Sequence, residues 1–127
     1  MPKRVLIVED NPISMELLRE VVEAEGYRVL AATSGSEALS VARAEHPDLI
    51  LMDIQLPGID GLTVTRALKA QQDTKEIPIV GVSAYASHED IDRALEAGCM
   101  AYLPKPLDMP RFLDLLKRLL GPDYHIS

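Results

Sequence analysis

Five residues in this chain have side chains that could do chemistry together, and each follows a short apolar run. Glu9 and Asp10 follow the first of five such runs and Asp53 the third, Ser83 ends the fourth, and Lys105 comes shortly after the fifth. Three carboxylates held close repel one another and titrate high unless a cation sits among them. Oxygen-only ligands call for a hard ion, and inside a cell that ion is Mg²⁺. A metal held by only a few carboxylates keeps waters, and a phosphate oxygen can replace one. A carboxylate can also accept a phosphoryl group as an acyl phosphate, and it needs no general base because it is already ionised. The remaining demand is neutralisation of the phosphoryl oxygens, which the metal, the Lys105 ammonium and the Ser83 hydroxyl would meet. Any one of these side chains alone is more often solvated surface. The chemistry depends on their convergence.

Convergence requires a particular scaffold. Short runs of β-type residues alternate with longer segments of helical spacing, five times over. The predicted strands are Arg4 to Val8, Tyr27 to Ala32, Asp48 to Met52, Ile79 to Ser83 and Met100 to Leu103. Asn11 reads as an N-cap with Pro12 at the first helical position, opening a helix to about Ala24 that Gly26 ends. A second helix runs from Ser36 to about Glu45, before Pro47, and a third from Leu62 to about Gln72. Ser87, with Asp90 three residues on, opens a fourth that ends at Gly98. Asp108 caps a fifth that runs to Leu120. The runs Val5-Leu6-Ile7-Val8 and Leu49-Ile50-Leu51-Met52 are apolar throughout, as in parallel strands covered on both faces. Right-handed crossovers then give a doubly wound α/β sandwich of three layers. In such a sheet, ligands bind beyond the carboxyl ends of the strands, where the five residues fall.

The bulk composition fits. A chain of 127 residues with 47% apolar content is expected to be a single domain, with its core over about residues 3–120 and a frayed tail at 121–127. A single cysteine, Cys99, rules out an internal disulfide, and no run approaches the roughly 20 apolar residues of a membrane span. A cytoplasmic protein with no membrane partner is expected. The net charge of −7 argues against a duplex-binding surface, and one Phe, four Tyr and no Trp leave little for stacking on single strands, so no nucleic-acid partner is expected.

The motifs Val8-Glu9-Asp10-Asn11, Leu51-Met52-Asp53-Ile54-Gln55-Leu56-Pro57-Gly58-Ile59-Asp60-Gly61, Ser83-Ala84 and Lys105-Pro106 resemble those of two-component response-regulator receiver domains. The resemblance runs from Lys3 to Leu120. Within that family the chain resembles most the stand-alone DivK-type regulators, on Leu49 to Pro57 and on Gly98-Cys99-Met100-Ala101-Tyr102. It implies a flavodoxin-like (βα)5 fold with a five-stranded parallel sheet of order 2-1-3-4-5. It also implies a phosphorelay switch with slow self-dephosphorylation and no true enzyme turnover. Asp53 would be the phosphoacceptor. Asp10, Asp53 and the Gln55 backbone carbonyl would ligate Mg²⁺, for which Mn²⁺ can substitute, and Glu9 would ligate it or orient its water. Lys105 would pair with the phosphoryl group and Ser83 would hydrogen-bond it. Tyr102 would turn inward as Ser83 moves, and the Lys105–Pro106 peptide would be cis. The phosphodonor would be a histidine kinase or a histidine phosphotransfer protein. The output face would comprise the fourth helix, fifth strand and fifth helix, on a monomer or a weak phosphorylation-dependent dimer. Gln55 and Tyr85 would tune the acyl-phosphate lifetime. Glu9 departs from the aspartate of many receivers, and small Ala84 would leave the phosphoryl group reachable.

The first helix carries one further feature. At 100° per residue its apolar side chains spread over roughly 200°, more than a sheet-facing stripe requires. Ile13 and Leu17, at the margin beside the acids, are expected to stay partly exposed as a docking patch for the phosphodonor. Other candidates fare worse. Cys99 reads as a small buried hydrophobe, and His46, His88 and His125 have no metal-ligand spacing. Gly58 and Gly61 form no phosphate-binding glycine loop. An aspartyl-nucleophile phosphatase would want a second acid where Gln55 stands. An FMN carrier would want a hydroxyl- and glycine-rich loop where Asn11 to Ser14 stand. The Met1-Pro2-Lys3 start and the tail favour a stand-alone regulator over a receiver excised from a hybrid kinase.

Overall fold

The computed structural model describes residues 2–56, 58–84 and 87–121. Among them, five parallel strands form one sheet in the order β2-β1-β3-β4-β5: β1 (Arg4–Val8), β2 (Arg28–Ala32), β3 (Leu49–Asp53), β4 (Ile79–Ser83) and β5 (Ala101–Pro104). The expected doubly wound, flavodoxin-like architecture is the one observed. Helices α1 (Pro12–Ala24), α2 (Gly35–Glu45), α3 (Gly61–Ala70), α4 (His88–Ala97) and α5 (Met109–Leu120) cover its two faces.

The uninterrupted apolar strands explain the layering. Leu6, Val8, Ile50 and Met52 face one core, with Ala38 and Ala42 of α2, Val64 and Leu68 of α3 and Ala94 of α4. Val5, Ile7, Leu49 and Leu51 face the other, with Leu18 and Val22 of α1 and Phe112, Leu116 and Leu120 of α5. Each fully buried aliphatic side chain contributes about 1.5–3 kcal/mol.

Element ends shift from expectation where side chains terminate them differently. Ser34 caps α2 by accepting from the Glu37 amide, so the helix starts at Gly35, one residue before Ser36. Asp60 accepts from the Thr63 amide, which starts α3 at Gly61. That helix stops at Ala70, where the Thr74 hydroxyl donates to the Leu68 carbonyl. The Tyr27 amide still bonds back to Val22, delaying β2 to Arg28. The Ser87–Asp90 pair forms a full capping box at the start of α4. Asp53 is the last residue of β3, not the residue after it, and so shares the rigidity of a central strand.

Candidate functional site

The carboxyl ends of β1, β3, β4 and β5 deliver the five residues to one edge. The Glu9 amide continues the β1 ladder by donating to Ala32 at 3.0 Å. The Lys105 amide donates to the Ser83 carbonyl at 2.8 Å, which ties the lysine's position to the end of β4. Ser83 pairs in register with Pro104, and Asp53 with Val82.

Glu9, Asp10 and Asp53 each bring one carboxylate oxygen within 4.8 Å of the others, a spacing at which one cation can be shared. Asp10 is exposed, whereas Glu9 and Asp53 are buried. Lys105 Nζ lies 2.8 Å from Glu9 Oε1 and 3.4 Å from Asp53 Oδ2, bridging the two. The other oxygens are also engaged. The Asn11 amide donates to Glu9 Oε2 at 3.1 Å, and the Gln55 amide to Asp53 Oδ1 at 3.0 Å.

The two buried acids titrate in opposite directions. Burial raises Asp53, and although the Gln55 amide works against it, the neighbouring Glu9 charge adds to it, leaving the carboxyl at about 6. Burial also pushes Glu9 up, but its hydrogen bonds from Lys105 and the Asn11 amide outweigh that and hold it below the usual range. For Lys105, burial lowers the ammonium, yet Glu9 and Asp53 outweigh it and raise it. Partners thus hold Glu9 ionised and Lys105 charged, while burial opposes, without preventing, the ionisation of Asp53. The donor set is all oxygen, and a divalent cation fits it.

The remaining expected residues fall around this centre. Ser83 is buried and lines a cavity of 220 Å³ with Gln55, Ile54 and Tyr102. Tyr102 is buried, 7% exposed, and lines the same cavity. The Lys105–Pro106 peptide is cis. Ala84 is exposed beside the site. Ile13 and Leu17 are 79% and 55% exposed, as the breadth of the apolar arc on α1 required. Cys99 is buried, and burial pushes its thiol up. Pro57, Tyr85, His125 and the tail beyond Gly121 lie outside the described residues. Among the described residues no helix is long and apolar enough to cross a membrane.

Two positions do more than the sequence pattern indicates, Gly61 and Asn11. A Cβ at Gly61 would stand 2.5 Å from the Asp53 carbonyl oxygen and 2.7 Å from the Ile54 Cα, so α3 starts directly on the backbone that carries Asp53. Asn11 was read as a helix cap, which it is, but its amide also fixes Glu9.

Residues 5–117 match the response regulator receiver domain family. The chain is 49% identical over 121 residues to the polar-differentiation response regulator DivK of Brucella ovis, covering 95% of this chain and 98% of that one. Among solved structures it resembles the receiver domain of a sensor histidine kinase from Pseudomonas aeruginosa, which has a magnesium ion coordinated in its active-site cleft. That likeness has a TM-score of 0.88 and 34% identity, over 95% of this chain and 99% of the other. The chemotaxis protein CheY4 of Vibrio cholerae superposes with a TM-score of 0.88 at 28% identity, over 94% and 100% of the two chains.

Proposed function

The chain belongs to the response regulator receiver domain family of two-component signalling, and from that premise we propose that Asp53 is its phosphoacceptor. The observation that carries this reading is the setting of Asp53: a buried carboxyl ending a central strand, with two more carboxylates within 4.8 Å and an ammonium at 3.4 Å. One carboxylate oxygen of Asp53 attacks the phosphorus of a phosphohistidine. The new O–P bond forms as the N–P bond breaks, and its electron pair returns to the donor's imidazole nitrogen. The Gln55 amide holds the carboxylate plane, and Lys105 meets the charge arriving on the phosphoryl oxygens. Ser83 receives the phosphoryl group by hydrogen bond at the end of β4.

Glu9, Asp10 and Asp53, with the Gln55 carbonyl, would hold Mg²⁺ or Mn²⁺, which when bound neutralises phosphoryl charge. Glu9 is bound to Lys105 and the Asn11 amide, which suits it to orienting a metal-bound water as well as to ligating. The module works as a switch with slow self-dephosphorylation, in the cytoplasm, as a monomer or weak phosphorylation-dependent dimer. Its phosphodonor, a histidine kinase or histidine phosphotransfer protein, docks on Ile13 and Leu17. Leu17 also lines an apolar groove of 490 Å³ shared with Lys105, Pro106 and Met109, so the patch adjoins the site. The downstream partner reads the face formed by α4, β5 and α5.

Incubation with Mg²⁺ and acetyl phosphate tests the assignment. The protein should gain one phosphoryl group, about 80 Da of added mass, and Asp53→Asn should not. An unmodified parent protein would overturn it.

A further inference from the structure

Asp53 ends β3, and the backbone that leaves it is held from two sides. On one side the ladder with β4 continues past the strand. Asp53 pairs with Val82, and the Ile54 amide donates to the Val82 carbonyl at 3.0 Å. On the other side stands Gly61, the first residue of α3. Its amide donates to the Ile54 carbonyl at 3.0 Å. A Cβ on it would stand 2.5 Å from the Asp53 carbonyl oxygen, 2.7 Å from the Ile54 Cα and 3.1 Å from Met52 Cγ. The two nearest neighbours are backbone atoms, so no change of rotamer relieves the clash.

Space alone demands glycine here. Gly61 is not among the positive-φ glycines, and as a helical residue alanine would be the better former. Nor is the helix free to back away. Val64 and Leu68 are fully buried in the core, and Asp60 caps the first turn through the Thr63 amide. Thr65 adds a further hold: it too is fully buried, and its hydroxyl donates to the Gly61 carbonyl at 2.8 Å. The backbone so clamped leads straight into Gln55. The Gln55 amide donates to Asp53 Oδ1 at 3.0 Å, and its carbonyl is the backbone oxygen that would face the metal. Both groups lie where the Asp53–Ile54 peptide puts them.

We propose that Gly61 is a positioning residue for metal-dependent phosphoryl transfer. Its missing side chain lets α3 seat the backbone of residues 53–55, and Thr65 holds that seat through the Gly61 carbonyl. This rests on the reading of Asp53 as phosphoacceptor. A methyl group at position 61 displaces the Gln55 carbonyl and the Asp53 carboxylate relative to Asp10 and Lys105, while touching no group that meets the metal or the phosphorus.

The test reads Mg²⁺ dissociation constants from amide chemical shifts, and intact mass after acetyl phosphate, in the parent, Gly61→Ala, Thr65→Val, Thr65→Ser and Gly98→Ala. The last is a control for lost stability: Gly98 sits at φ 118° at the end of α4, away from the acids. Gly61→Ala should weaken Mg²⁺ binding about tenfold, shift the Gln55 amide resonance and slow phosphorylation. Thr65→Val should weaken binding about threefold, and Thr65→Ser, which keeps the hydroxyl, should restore it. Gly98→Ala should melt earlier yet bind Mg²⁺ as the parent does. Parent-like binding in Gly61→Ala overturns the proposal, and so does equal weakening in Gly98→Ala, which would trace the loss to general loosening. Should Gly61→Ala not fold, the Thr65 pair decides: weakening that serine restores supports, and unchanged binding or no restoration overturns. A parent that binds no Mg²⁺ overturns it too. Intact mass separates the two readings. A parent that gains no phosphoryl group removes the acceptor role, whatever its affinity for Mg²⁺. A phosphorylated parent with parent-like binding in Gly61→Ala removes only the role of Gly61.

Discussion

The carboxyl ends of β1 and β3 lie beside those of β4 and β5 in one sheet, yet the two halves of this edge are built on opposite plans. The first is crowded with charge. Glu9 and Asp53 are buried, and each has one oxygen on a backbone amide and the other on Lys105. The second is arranged around space: Gly81 lies opposite Tyr102 in the strand register, and Tyr102 lines two cavities. Charge in a low dielectric is held tightly, because leaving it unpaired is costly. The two halves are joined where the Lys105 amide donates to the Ser83 carbonyl.

Perturbations of the charged half should have the larger effects. Lys105→Ala leaves two buried carboxylates without their ammonium and should cost about 2–4 kcal/mol in urea unfolding without metal. A smaller loss would mean that the site is wetter than its burial indicates. Asp53→Asn should have the opposite sign. The folded-state carboxyl sits at about 6 against an ordinary value of 3.8. The folded protein therefore binds the extra proton between these values, and the ionised form is disfavoured above them. The variant should be more stable than the parent by about 1–3 kcal/mol at neutral pH without metal, with the gap closing as pH falls through about 6 towards 4. Melting curves across that range check the sign. A gap that persists at pH 4 would remove ionisation as its cause.

Added Mg²⁺ should stabilise the parent by about 1.4 kcal/mol at ten times its dissociation constant. The gain should be lost in Asp10→Asn, read as a melting shift. The exposed rim should matter least for folding. Ile13→Ser with Leu17→Ser should change stability by no more than about 0.5 kcal/mol, yet slow phosphotransfer from a histidine donor roughly tenfold, a loss of about 1.4 kcal/mol. Unchanged transfer kinetics would detach this patch from the donor.

The charged half was the more legible in sequence, for a physical reason. Its residues are chemically distinctive and sit at strand ends, which apolar runs mark clearly. Convergence of Glu9, Asp10, Asp53 and Lys105 follows once the strands are parallel. Ile13 and Leu17 were legible too, because helical angles show which side chains a sheet cannot cover. The partnering within the cluster was not legible, since it depends on side-chain rotamers: nothing in the spacing says that Lys105 bridges Glu9 and Asp53. Space was harder still to read. Gly61 acts by what it lacks, and a missing side chain has no signature beyond an isolated glycine in or beside a strand. Helices α2 and α3 start one residue earlier than the spacing predicts, because several capping residues compete there.

The central claim is that Asp53 is the residue that takes the phosphoryl group, within a metal-holding acid cluster. The most direct test is intact mass over time with acetyl phosphate, for the parent with Mg²⁺, the parent with a chelator and Asp53→Asn with Mg²⁺, followed by peptide mapping of any adduct. The prediction is a single phosphoryl group on the peptide containing Asp53, in the first sample only. An adduct that persists in Asp53→Asn, maps elsewhere or forms equally well with chelator would contradict it.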